Sequence, residues 1–324
     1  MRQWISWFWK FRVPAFFVLI GLCFTLVLSV MLDNDPFVQK PTPGSFSVVL
    51  YGDRADRWVP LNMGLRQACD ELGWTAPVVV LAPPTGPEEQ IRLLQRELTG
   101  GVQGLIVAAT DSEAVRSFLA EQAAPRTPIV MVETGAGTDW PAIRADDERM
   151  GEELADQLAA AGVTEATLLQ THLYRDSVRL RYDAFVRRAR ALGIALTEWS
   201  LSMADADMAP SIAESLQNQP ARNLVAFSTE ALECTIDALQ TVSLPPALYG
   251  IGHSDKIIAS LDQGLIDGLC CQNEYKIGYL AVMRLAGEMG AVPPADPVWV
   301  EFRYINRANM YDSDIQRSIF PIIQ

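Results

Sequence analysis

At 324 residues, 49% hydrophobic and 20% charged, the chain has apolar material for one large or two ordinary globular domains, which excludes a disordered tail. Its net charge is −13, and Arg2, Lys10 and Arg12 are the only charged residues before Asp33, so the remainder is more acidic still. Such a surface repels phosphates and argues against a nucleic-acid partner.

Residues 13–32 carry no charge, close to the ~20 apolar residues that cross a bilayer as a helix. Trp4, Trp7 and Trp9 are placed for the membrane interface. Positive charge precedes the stretch while Asp33 and Asp35 follow it, so the positive-inside rule puts residues 1–12 in the cytoplasm and the rest outside. A cleaved signal peptide is the competing reading, but Leu28 to Leu32 offers no small-x-small site. Leu22 before Cys23, and the apolar residues after it, argue against lipoprotein processing at that cysteine. Residues 33–44 hold three prolines and read as an extended spacer.

From Ser45 onwards, short apolar runs alternate with helical stripes. Phe46 to Leu50 predicts a strand, and Pro60 to Leu72 an amphipathic helix closed by Gly73. Val78 to Leu81 is strand-like, and Glu88 to Leu98 puts Ile91, Leu94 and Leu98 on one helical face. Strand Leu105 to Ala108, a helix after Asp111 and strand Ile129 to Val132 complete a first series. The second runs through strand Thr167 to Gln170, helix Ser177 to Leu192, strand Leu196 to Trp199 and helix Pro210 to Gln217. It continues with strand Leu224 to Phe227, helix Glu230 to Leu239, strand Leu248 to Ile251, helix Asp255 to Gln263 and strand Leu265 to Cys271. Apolar strands alternating with helices mean parallel sheets covered on both faces. Two such series predict two doubly wound α/β lobes.

Ligands of such sheets sit outside the carboxyl ends of the strands. Those ends are Tyr51-Gly52-Asp53 leading to Trp58, Thr110-Asp111, Glu133-Thr134, Thr171-His172, Ser228-Thr229-Glu230, Gly252-His253-Ser254 and Gln272-Asn273. They mix aromatic, acidic, hydroxyl, imidazole and amide chemistry, with Arg181 a little further along.

In order and spacing, FSVVLYGDRADRWVPLNMGLRQACDELG, EEQIRLLQRELTGGVQGLIVAATD, TPIVMVE, AIRADDERMGEELADQL, SVRLRYDAF, NLVAFSTEALECTIDAL and YGIGHSDKIIASLDQGLIDGLCCQNEYKIGYLAV resemble the type I periplasmic sugar-binding proteins, which share their core with the lac repressor group. The resemblance covers about Phe46 to Tyr304. It implies two lobes joined by a three-strand hinge and preceded here by one transmembrane helix, with no cofactor. Residues 45–142 plus 273–296 would form the first lobe, and 143–272 plus 297–324 the second. It also implies a small polar ligand, usually a sugar, for delivery to an ABC permease or a sensor kinase.

The same resemblance places Trp58 where an aromatic packs on a sugar ring, the alternative being a helix-start residue packing on its own lobe, with Arg57 beside it as a weaker candidate. Glu133 matches a carboxylate that accepts from sugar hydroxyls, although Asp is commoner there. Arg181 matches the arginine of an R-x-x-G-F motif, the alternative being a salt bridge, and Gln272 matches a ligand or hinge amide, with Ile277 to Met289 as the next helix. Ser228-Thr229 stands in place of the family's Asn-Asp, and His253 follows Gly252 where a carboxylate is usual. These departures put an ordinary aldose in doubt. His172 is placed on the rim, and Trp140 before the first crossing would narrow the pocket.

Cys270 and Cys271 are adjacent in a strand and so point to opposite faces, which prevents a joint metal clamp. They read as buried thiols, with a disulfide among Cys69, Cys234, Cys270 and Cys271 left open. A glycan hydrolase would need paired carboxylates, which Asp53, Glu133 and Glu230 could supply, but no nucleophile elbow, phosphate loop or metal motif accompanies them. A lac-repressor-like regulator would need a helix-turn-helix where residues 13–32 stand.

Overall fold

The computed structural model describes residues 45–52, 54–83, 86–123, 127–135, 137–201, 205–293 and 299–319. The membrane span and spacer expected at 13–44, and Asp53, lie outside them. Among the described residues no helix is long and apolar enough to cross a membrane.

The first lobe is built on β1 (Ser47–Tyr51), β2 (Val79–Ala82), β3 (Leu105–Val107), β4 (Ile129–Val132) and the short β5 (Ala142–Ile143). They form one parallel sheet in the order β2-β1-β3-β4-β5. Helices α1 (Val59–Leu72), α2 (Pro87–Thr99) and α3 (Ser112–Gln122) connect them. Val48, Leu50 and Ile106 pack into one core on one face of this sheet, while Val49, Leu105 and Val107 pack into another on the opposite face. That explains why the strands read as continuous Val/Ile/Leu runs rather than as alternation.

The second lobe has a six-stranded sheet of order β11-β10-β9-β8-β6-β7. Its strands are β6 (Glu165–Gln170), β7 (Ala195–Ser200), β8 (Asn223–Ala226), β9 (Ala247–Ile251), β10 (Gly268–Gln272) and β11 (Phe302–Ile305). Helix α4 (Asp147–Ala160) precedes β6, and α5 (Asp176–Ala191), α6 (Asp205–Asn218), α7 (Thr229–Leu239) and α8 (Asp255–Gln263) run between the strands, with α9 (Glu274–Glu288) and α10 (Ser313–Ile319) after β10 and β11. Cys270 packs into the core on one face and Cys271 into the core on the other, as period-2 geometry requires. Cys69, Cys270 and Cys271 are free, buried thiols.

Three departures from the sequence expectation have local causes. β11 runs antiparallel to β10, pairing Cys270 with Tyr304; its alternation of half-buried and exposed residues in FRYI lacks the apolar run that marked the other strands. Helix α9 begins at Glu274 rather than Ile277, because the Asn273 side chain accepts from the Lys276 backbone N–H and caps it. Helix α6 begins at Asp205 and carries Pro210 inside it, whereas the proline reads as a start signal.

The chain passes from the first sheet to the second between β5 and α4, and returns between β10 and α9. The segment before β11 runs alongside both crossings: Val300 N–H donates to Arg144 O at 3.1 Å and Asn273 N–H to Glu301 O at 3.4 Å. Helix α9 packs on α1, so the segment after β10 belongs with the first lobe's core. The α1–α9 crossing is close enough that Gly64 lies on the Tyr275 backbone and Gly278 on the Leu61 backbone; Gly151 of α4 meets the Arg181 backbone of α5 in the same way.

Candidate functional site

The carboxyl ends of β1, β3 and β4 face those of β6, β8 and β10, and direct bonds join them. Asp176, at the start of α5, accepts from Ser112 Oγ at 2.9 Å and from Gly135 N–H at 2.7 Å. Ser112 N–H donates to Tyr174 O at 3.2 Å, and Arg54 donates to Glu233 at 2.6 Å. Gln90, buried on α2, donates to Ala108 O and accepts from Thr110 N–H, fixing the backbone that follows β3.

Glu133 is the centre of this region. One carboxylate oxygen accepts from Tyr51 OH at 2.5 Å; the other accepts from Arg57 Nη2 and Gln272 Nε2, both at 2.8 Å. Gln272 ends β10, so that last bond joins the two lobes. Arg57 donates from Nη1 to Glu274 at 2.6 Å, and its guanidinium lies 4.4 Å from the centre of the Trp58 ring. From the other lobe, Arg175 lays its guanidinium 3.8 Å from the centre of the Tyr51 ring and donates from Nη1 to Glu230 at 3.0 Å. Glu133 (φ 57°) and His172 (φ 56°), one in each lobe, hold left-handed backbone. For residues other than glycine this is strain of about 1–3 kcal/mol, and it gathers at functional sites.

Burial disfavours the charge on Glu133, but Arg57 and Arg181 outweigh it and hold the carboxylate below its usual range. Burial also opposes the Glu230 charge, yet Arg175, His172 and Arg57 bring it down to about 2. Glu274 goes the other way: burial dominates Arg57, and Glu133 adds repulsion, so its carboxyl is pushed up to about 8.

A raised carboxyl pKa has a defined linkage sign. Below the unfolded value both states are protonated and the stability contribution is full; between there and about 8 the unfolded chain ionises while the folded one keeps its proton. Stability is therefore lost as pH rises, on the order of a few kcal/mol across the window. Glu274→Gln is expected to flatten this slope, with urea denaturation at pH 5.5 and 8.5 showing the variant gaining on the wild type at the higher pH. Equal slopes for the two proteins would show that Glu274 is not the titrating group.

Of the residues singled out in the sequence, Arg57, Glu133 and Gln272 form one bonded cluster. Trp58 is 1% exposed, with its indole N–H donating to Tyr51 O at 2.9 Å. A three-residue turn at Asp56–Trp58 tucks the ring under Arg57 instead of leaving it in an open loop. Arg181 donates to Asp147 at 2.7 Å, and Arg144 donates to the same carboxylate at 2.8 Å. Ser228 caps α7 by accepting from Ala231 N–H, and its hydroxyl lies 3.1 Å from His172 Nδ1. His253 is buried at the end of β9, its N–H donating to Thr229 Oγ1 at 3.2 Å. Trp140 packs against the first lobe's core. Tyr51, Arg175 and Glu274 join this region without standing among the sequence's ligand candidates. Arg175 reads as one more charged loop residue, and Glu274 as an acidic residue suiting a helix start; sequence pattern held no signal for either.

Among the described residues, several buried polar atoms here have no partner in the protein. The donors are Arg57 Nε and Arg175 Nε and Nη2; the acceptors are Gln272 Oε1 and Glu230 Oε2, with Glu274 Oε2 and the hydroxyls of Thr110 and Thr171 able to serve both ways. Each such group costs about 1–3 kcal/mol when left unsatisfied. Their gathering around one cleft fits a small ligand that both gives and takes hydrogen bonds. Among the described residues no group of three or more His, Cys, Asp or Glu side chains is placed to hold a metal ion.

A family model described as the periplasmic binding protein domain matches residues 46–289. Solved structures with the same fold include a carbohydrate transporter solute binding protein from Agrobacterium radiobacter in complex with D-arabinose: TM-score 0.74, 18% identity, covering 85% of this chain and 98% of that one. An ABC transporter solute binding protein from Agrobacterium vitis bound with alpha-D-tagatopyranose has the same TM-score and identity, covering 85% and 99%. A glucose-galactose binding protein from Geobacillus stearothermophilus gives TM-score 0.70 at 19% identity, covering 82% and 99%. No curated protein matches the sequence.

Proposed function

We propose a receptor function for this protein from the premise that the chain belongs to the periplasmic binding protein domain family. It binds a sugar or similarly polar small molecule between its lobes, outside the cytoplasm, and presents it to an ABC-type permease; presentation to a sensor kinase is the alternative. The observation that carries the reading is the set of buried donors and acceptors around Glu133 that the protein itself leaves unpartnered. D-arabinose and tagatopyranose, the ligands of two structural neighbours, have the matching amphoteric hydroxyls.

In this reading Arg57, Glu133 and Gln272 contact the ligand. Trp58 supports Arg57, Arg181 braces the first crossing through Asp147, and Ser228 and His253 shape the second lobe's rim. The crossings serve as the hinge, and the ligand shifts the population toward the closed arrangement by its preference for that state. Residues 13–32 act as a tether, keeping the receptor at high effective concentration beside a membrane partner.

Thermal unfolding of the purified full chain against sugars, polyols and sugar acids tests this directly. A ligand at about 100 times its Kd adds ~2.7 kcal/mol, a shift of a few degrees. Silence across the panel would remove the small-molecule receptor reading.

A further inference from the structure

The Arg175 side chain is fully buried, and its contacts are uneven. Nη1 donates to one oxygen of Glu230, while Nε and Nη2, which together form the side-on edge of the guanidinium, have no partner. The Tyr51 ring lies against the face of the group, so the hydrogens of the unpartnered Nε and Nη2 lie along this edge, in the plane of the guanidinium. Two parallel N–H groups on one edge match the two oxygens of a carboxylate; vicinal hydroxyls are spaced more widely and each brings a hydrogen of its own. Arg57 adds a third unpartnered guanidinium nitrogen, Nε.

The acceptors nearby do not compete well for that edge. Glu133 already takes three donors, from Tyr51, Arg57 and Gln272. Glu230 takes Arg175 Nη1 on one oxygen, and its side chain is 16% exposed. The remaining buried partners, Gln272 Oε1 and the Thr110 and Thr171 hydroxyls, suit ligand hydroxyl groups.

Building on the receptor reading above, we propose that the ligand is a hydroxylated carboxylic acid of the sugar-acid class, its carboxylate held by the Nε/Nη2 edge of Arg175 and its hydroxyls by Gln272 and the two threonines. Arg175 is then the specificity-determining residue of the cleft. Glu230 steadies the guanidinium from the opposite side.

The test is titration calorimetry of the full chain with matched pairs: D-glucuronate against D-glucose, D-galacturonate against D-galactose, and D-arabinonate against D-arabinose. In at least one pair the acid should bind tenfold or more tighter than the neutral sugar. Arg175→Gln should erase that preference, and Arg175→Lys should keep only part of it. Neutral sugars binding as tightly as their acids would overturn the inference while leaving the receptor reading intact, and the wild-type comparison alone decides this if the variants do not fold. An acid preference that survives Arg175→Gln would also overturn it. Binding by neither class would defeat both readings.

Discussion

Glu133→Ala is expected to destabilise the protein by about 3–5 kcal/mol, the range for removing one partner of a buried ion pair. The change strands the Tyr51 hydroxyl, Arg57 Nη2 and Gln272 Nε2 together, and of the two carboxyls bonded to Arg57 it leaves Glu274, whose ionisation burial opposes. Relief of the left-handed backbone at this position does not offset that loss, since alanine adopts the conformation no more readily. Glu133→Gln keeps an acceptor and should lose less. Urea denaturation at pH 7 reads both, and a loss below about 1 kcal/mol for the alanine variant would mean that the cluster is not the bonded centre of the cleft.

Gly278→Ala is the second large effect. A Cβ at this position falls on the Leu61 carbonyl, and one at Gly64 falls on the Tyr275 carbonyl across the same crossing. Main chain cannot rotate aside as a side chain can, so α1 and α9 must separate, uncovering a core that includes Leu61, Leu65, Ile277 and Ala281. We expect a loss of about 3 kcal/mol or more, above the usual range for overpacking. Gly73→Ala is the control: its φ of 67° carries strain, yet nothing stands within 4 Å of the added carbon, so it should lose only ~1 kcal/mol. Comparable losses for the two variants would show that the helices have room to part. Because α9 follows directly on Gln272, ligand binding should weaken in Gly278→Ala even where the protein remains folded.

Much of this architecture was legible because fully buried parallel strands announce themselves. LIV at Leu105–Val107 and IVMV at Ile129–Val132 are apolar at every position, and the intervening helices carry recognisable caps such as Asp111, Ser228 and Ser254. β5 and β11 were missed for the converse reason: one has two residues, and the other mixes exposed and buried side chains. Within the cleft, the rule of strand carboxyl ends found Glu133 and Gln272 and drew attention to Tyr51. It could not find Arg175, whose importance comes from crossing to a ring in the other lobe, more than 100 residues away in sequence. Nor could it show Arg57 covering Trp58, because the short turn that turns the indole inward has no distinct sequence signature.

The receptor reading puts a small polar solute in the cleft around Glu133. It is tested most directly by titrating the ligand that most stabilises the full chain into the wild type, Arg57→Lys and Gln272→Leu. Arg57→Lys keeps the charge but removes the Nε donor, and Gln272→Leu removes the Oε1 acceptor while preserving bulk. One site per chain is expected in the wild type, with a loss of about 10- to 100-fold in each variant, equivalent to one or two buried hydrogen bonds. Unchanged affinity in both variants would place the ligand elsewhere on the protein.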